Sequence, residues 1–213
     1  MKYILTPFLL ALFILLARES CHIFQAIFHP RPPMTMMGNL EMYEWTAVGI
    51  AAYLLLKGLL RRNLEWMETF SHELTHTIVS MLTLRKVHLF QAGERTGAVT
   101  TSGGGFSEVL VSLAPYCLPI FTYLLLFIRP LVAADGLWIF DILIGLTIAF
   151  HAVCFTTQTG NHQTDINKYP LAFSYAYIYT ALLFNFNTIL VSYWTTKNVF
   201  TAWWYCISGI FDF

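Results

Sequence analysis

Apolar and polar positions along this 213-residue chain fall into long apolar blocks parted by short polar interruptions. A helix needs roughly 17–25 residues, predominantly apolar, to cross a bilayer. Blocks near that length cover 3–17, 44–60, 65–84, 106–128, 137–157 and 171–194, and they predict six helices. After the first block, Pro30, Pro32 and Pro33 break any helix, so the stretch from Glu19 to Tyr43 reads as a short interfacial helix and a loop. The texture changes at "RKVHLFQAGERTGAVTTSGGG", Arg85 to Gly105, where Val87, Leu89 and Val99 alternate with polar residues around "AGERTG". That pattern predicts a β-hairpin. Its open edge cannot face lipid, because unpaired N–H and C=O groups would go unsatisfied there. Gly103 to Gly105 let the chain turn tightly before the fourth block, which Pro115 and Pro119 interrupt. A second polar break, "TTQTGNHQTDINKYP", covers Thr156 to Pro170, and the aromatic tail 199–213 reads as interfacial. The first block reads as a membrane segment; a cleaved signal peptide is the other reading, but no small-x-small site precedes "RESCH". No repeat or low-complexity linker divides the chain, so residues 1–213 are expected to form one domain.

Composition turns these helices into membrane helices. Hydrophobic residues make up 57% of the chain and charged residues only 11%, with a mean hydropathy of +0.60. Soluble domains are nearer a quarter charged. Twelve acidic and twelve basic residues are too few to cover a soluble fold of this size. The expected class is an all-α polytopic membrane protein with about six transmembrane helices and a small hairpin. The formal net charge is zero, and no basic run or phosphate-cradling glycine loop occurs, which argues against a nucleic-acid partner. Cys21, Cys117, Cys154 and Cys206 are scattered and form no CxxC pair, so they indicate neither a disulfide framework nor a cysteine zinc site. Lys57, Arg61 and Arg62 form the densest basic cluster and place the end of the second block on the cytoplasmic side.

One block carries chemistry. "TFSHELTHTIVSML", Thr69 to Leu82, holds His72, Glu73 and His76 within five residues. A charge buried in a membrane helix costs about 2.5–3.5 kcal/mol on insertion scales, so this cluster needs a compensating role. A hydrogen-bonded patch between helices is one such role. Metal binding is the other, because "HELTH" fits H-E-x-x-H. Four residues apart, His72 and His76 share one helix face and can converge on one ion. Glu73 is offset by about 100° and reaches a water beside the ion. Zinc takes imidazole nitrogen readily, and it lowers the pKa of a bound water to about 7. A neighbouring glutamate can take that proton and return it to a leaving amine.

Two histidines leave zinc short of a protein ligand. His88, Glu94, Glu108, Asp135, Asp141, His151, His162 and Asp165 are the remaining candidates. The polar break is the best source, since irregular backbone near membrane depth is tolerated only beside protein or a water-filled cavity. Asp165, at a predicted helix start, is the first choice; a plain helix cap is its other reading. His162 is the alternative ligand, and with Asn161 it could instead contact substrate. His151 fits an interhelical hydrogen bond, and Glu108 fits the dipole of its helix.

At "FSHELTHTIVSML" the sequence resembles the site-2 protease group of intramembrane zinc metallopeptidases. Members carry HExxH on a membrane helix, then a hairpin-like stretch, further spans and a later aspartate. The same parts occur here in that order over about 66–195, with "HQTD" at the later position, as in the compact bacterial branch, in place of the N-P-D-G or L-D-G element of other members. The resemblance implies that His72, His76 and Asp165 are zinc ligands and that Glu73 is the catalytic base. It further implies an integral, multi-pass protein of a bacterial inner membrane that hydrolyses peptide bonds of membrane-protein substrates within or near the bilayer. A transmembrane substrate must then unwind, and the hairpin is expected to pair with the extended strand. Two other functions use the same parts: a non-catalytic metal-binding or scaffold protein that keeps the fold, and a membrane zinc hydrolase acting on a non-peptide bond.

Overall fold

The computed structural model describes residues 2–28, 36–93, 97–102, 105–194 and 198–211. The first block forms α1 (Lys2–Phe28), which runs well past its predicted end near residue 17. Pro30, Pro32 and Pro33, which predicted the break, lie outside the described residues, and polar side chains of the added turns are absorbed by neighbouring helices. Ser20 Oγ donates to Asn187 Oδ1 at 2.8 Å, and Arg18 Nη2 donates to the Gly209 carbonyl at 3.2 Å. Polar pairs of this kind hold helices together where apolar surface has no water to escape.

α2 (Met36–Leu59) and α3 (Arg61–Leu82) follow, hinged at Leu60. α2 lies against α6 (Leu137–Gln158), and the two helices touch backbone to backbone. A Cβ on Gly49 would lie 2.8 Å from the Ile142 carbonyl carbon, and one on Gly145 would lie 2.9 Å from that of Thr46. Each helix therefore supplies the small residue that admits the other. Gly49→Leu is expected to destabilise the fold by about 1–3 kcal/mol, seen as a lower thermal unfolding midpoint in detergent. Gly58→Leu, at a position with open space within 4 Å, is the control that should leave the midpoint unchanged.

α3 ends in a tight reversal, with Arg85 N–H donating to the Ser80 carbonyl at 2.8 Å and Leu84 N–H to that of Met81 at 3.0 Å. Leu84 takes the left-handed conformation, φ +57°, that glycine usually fills at this place. The reversal launches the predicted hairpin, β1 (Val87–Ala92) antiparallel to β2 (Gly97–Thr101), with Phe90 opposite Val99 and Gln91 opposite Ala98. A bulge between Val87 and Leu89 disturbs the simple alternation seen in the sequence. The turn residues 94–96 lie outside the described residues, and so does Glu94 as a candidate ligand.

The fourth block is two helices, α4 (Phe106–Leu113) and α5 (Ile120–Ile128), joined through a 3-10 turn at Ala114–Tyr116 and bent by 88°. Pro115 and Pro119 withhold the N–H groups that a straight helix would use. Gly105 enters α4 at φ +85°, a conformation that favours glycine. α7 (Thr164–Asn167) is a single turn inside the second polar break. α8 (Leu171–Trp194) has the predicted bounds of the sixth block. The tail forms α9 (Val199–Phe211), which buries Ala202 and Cys206 with Ile23 and Val191, buries Val199 with Ile189 and Tyr193, and leaves Phe200 and Trp204 exposed.

The described residues hold two helices long and apolar enough to cross a membrane, Leu5–Gln25 and Ala134–Gln158, or three if the bent α4–α5 pair is one span. This differs from the six predicted from the blocks. α3 carries Arg61, Glu65 and Glu68 in its first turns, and α2 carries Glu44 and Lys57. α8 is diluted by Tyr175, Tyr177, Tyr179, Asn185 and Asn187. The fold is therefore a mostly helical membrane protein with one small hairpin.

Candidate metal and catalytic site

α3 presents His72, Glu73 and His76, and α7 brings Asp165 to them. The single turn of α7 is held by its neighbour: Ile166 is fully buried among Val109, Leu113, Tyr116 and Phe173, between α4 and α8. With Ile166 fixed on that side, Asp165 faces α3. Its Oδ2 lies 3.2 Å from His76 Nε2 and 3.7 Å from His72 Nε2. One ligand atom from each of the three residues falls within 4.8 Å of the others.

The far sides of both rings are also held. His76 Nδ1 donates to the Val111 carbonyl at 2.8 Å, and His72 Nδ1 donates to Gln158 Oε1 at 3.1 Å. A neutral imidazole has one N–H, and these bonds use it. Both Nε2 lone pairs then point at a carboxylate, so three acceptors face one another across a gap that needs a proton or a cation. The donor set, two imidazoles and one carboxylate with each imidazole oriented from behind, is one that suits zinc. The same contacts act on Asp165. Burial raises its pKa, but where the imidazoles carry a proton on Nε2 their hydrogen bonds and charge outweigh burial and hold it well below the usual carboxylate range.

Glu73 is buried beside the cluster, and β2 closes over it. A Cβ on Gly97 would lie 2.6 Å from Glu73 Cδ, so only glycine leaves the carboxyl its present place. The Tyr116 ring stands edge-on to His72 with centroids 5.3 Å apart. A cleft of about 650 Å³ opens on one side of the cluster and a cavity of about 290 Å³ on the other. Gly97, Ala98 and Val99 of β2 line the smaller one, so β2, not β1, is the strand that faces the cluster.

The other candidate ligands go elsewhere. Asp141 pairs with Arg129 at 3.1 Å, and Glu108 pairs with Lys168 at 2.6 Å. His88, Asp135 and His162 are exposed, and the His162 ring folds back over Gly160. His151 lies in α6 at a separate apolar cavity. Asn161 steadies the loop that leads to α7: its Oδ1 accepts from the Tyr175 hydroxyl at 2.8 Å. Sequence reasoning did not find Gln158, Val111 or Gly97. Gln158 carried a weak signal, a polar side chain ending an apolar helix at the break. The Val111 contact is made by backbone, and its signal was Pro115, which lacks the N–H that would bond the Val111 carbonyl within the helix, while Gly97 is distinguishable only once β2 is laid over α3.

A helical membrane protein with a His₂–carboxylate cluster, its two histidines drawn from an H-E-x-x-H sequence and the glutamate of that sequence adjoining it, is the class that the fold and site define. The family comparison narrows that class: the model described as Peptidase M50B-like matches residues 45–160, more than half of the chain, and the chain belongs to that family. The match contains His72, Glu73, His76 and Gln158 and ends before Asp165. It agrees with the site-2 protease resemblance seen in the sequence. Comparison with curated proteins and with solved structures gave no match.

Proposed function

We propose that this protein is an intramembrane zinc metalloprotease, a single multi-pass unit that hydrolyses peptide bonds of membrane proteins within or near the bilayer. The observation that carries this reading is the meeting of His72 and His76 of α3 with Asp165 of α7, beside the Glu73 carboxyl. His72, His76 and Asp165 would hold the ion. When bound, zinc supplies Lewis acidity that makes water nucleophilic at neutral pH and polarises the scissile carbonyl. Glu73 accepts the proton of the attacking water on its carboxylate and passes it to the departing amide nitrogen, so the amine leaves neutral. Val111 and Gln158 keep each Nδ1 protonated and each Nε2 free to bind. The exposed backbone edge of β2 is placed to hold an unwound substrate in extended form.

The test is zinc content by mass spectrometry on detergent-purified protein. About one zinc per chain is expected in the native protein and in Glu73→Ala, with loss in His76→Ala and Asp165→Ala, since removing one of three protein ligands costs most of the affinity. Native protein without zinc would sink the reading. Zinc retained in Asp165→Ala would remove Asp165 from the ligand set.

A further inference from the structure

The cavities flanking the cluster define a substrate class, on the reading that the site hydrolyses peptide bonds. Glu73, Gly97, Thr164 and Asp165 line both the larger cleft and the smaller cavity, so the two meet at the cluster. The larger cleft runs back along the first turns of α3 and is walled by Arg61, Glu65, Glu68, Thr69, Gln158 and Gln163. Among the described residues, no aliphatic side chain and no Phe, Tyr or Trp ring lines it. The smaller cavity takes Ala98, Val99 and Val111 with Thr101, Ser112 and Lys168 and has less than half the volume. An apolar cavity of about 470 Å³, walled by Phe13, Phe155, Leu182 and Phe186, lies between α1, α6 and α8 and shares no residue with either.

An apolar substrate side chain gains little in the larger cleft. It would strip water from carboxylates and amides without returning their hydrogen bonds, and that costs free energy. A polar side chain replaces those bonds. The cleft also begins at a part of α3 that belongs in water: the Arg61 side chain is 81% exposed and pairs with Glu65 in solvent. We infer that the segment cut by this protein is polar and extended, lies outside the apolar span of its own protein, and crosses Glu73 from the larger cleft into the smaller cavity. The residues on the larger-cleft side form hydrogen bonds, and those on the other side are small.

Two fluorescent pools of ten-residue peptides test this, one of Ser, Thr, Asn, Gln and Lys, the other of Leu, Ile, Val and Phe. Both are titrated by anisotropy against zinc-loaded, full-length Glu73→Ala protein in one detergent. The same titration is run with Thr69→Leu and Gln163→Leu added, so that partition into micelles cancels in the comparison. The polar-to-apolar affinity ratio is expected to fall roughly 10-fold on adding the two leucines, the size of effect that a lost hydrogen-bonding site has on selectivity. An unchanged or rising ratio overturns the inference. Gln163→Leu alone, on the loop, should move the ratio in the same direction and guards against misfolding of the double change. Cleavage by the native protein, read by mass spectrometry, separates the two claims. Glu73-dependent cuts within the polar pool support both. Cuts confined to the apolar pool overturn the polar-substrate inference and leave the protease reading standing. Selective binding of the polar pool without Glu73-dependent cuts in either overturns the protease reading and leaves the cleft's preference intact.

Discussion

Glu73→Gln is expected to lower the rate of peptide hydrolysis by about 10²–10⁴-fold, the contribution of a positioned general base, while zinc stays at about one per chain. Glutamine keeps the shape and hydrogen-bonding reach of the side chain but cannot accept the proton of the attacking water. His76→Ala and Asp165→Ala should be as inactive for a different reason, because they lose the ion. Zinc content measured beside activity therefore sorts the three residues into one base and two ligands. The pattern is demanding. Glu73→Gln that keeps near-native activity would remove Glu73 from the chemistry, whatever its distance from the histidines. Glu73→Gln that loses zinc would make Glu73 a ligand. The geometry argues against that second outcome, because Glu73 falls outside the group of ligand atoms formed by His72, His76 and Asp165.

The parts of this arrangement that were legible in the sequence are the local ones. "HELTH" places two imidazoles on one helix face by helical spacing alone, and the hairpin and α8 follow from their own residue patterns. Asp165 was reachable because a carboxylate in a polar break is costly without a partner. The span count was less legible. Apolar block length does not register that Arg61, Glu65 and Glu68 put three charges in the first turns of α3, nor how Tyr and Asn side chains dilute α8. The extension of α1 through Arg18 and Ser20 depends on partners on α9 and α8 that lie far along the chain. Likewise, Pro115 and Pro119 announce a break, but the 88° bend and the approach of the Val111 carbonyl to His76 are tertiary results. Pro115 links fold to chemistry: it has no N–H to bond the Val111 carbonyl four residues earlier, which leaves that carbonyl for His76.

Gly97→Val is expected to lower kcat by about 10²-fold, with zinc content and the thermal unfolding midpoint held near native. A Cβ at residue 97 falls on the Glu73 side chain, to which its three nearest atoms all belong. The obstruction is therefore the far end of a flexible side chain, which can rotate aside without moving α3 or β2. The displaced group is the one required to meet a water proton, and a misplacement of about 1 Å in such a group is enough to cost 10²-fold. His72, His76 and Asp165 are oriented from other directions, by Gln158, Val111 and the burial of Ile166, so the ion should be retained. Gly97→Ala should fall in between, and Gly58→Val, facing open space on α2, should be silent in rate. Loss of zinc in Gly97→Val would show that β2 supports the ligand set itself. An unchanged kcat would show that the carboxyl works from a position other than the one it holds beneath β2, and the closeness of Gly97 to Glu73 would then be packing alone.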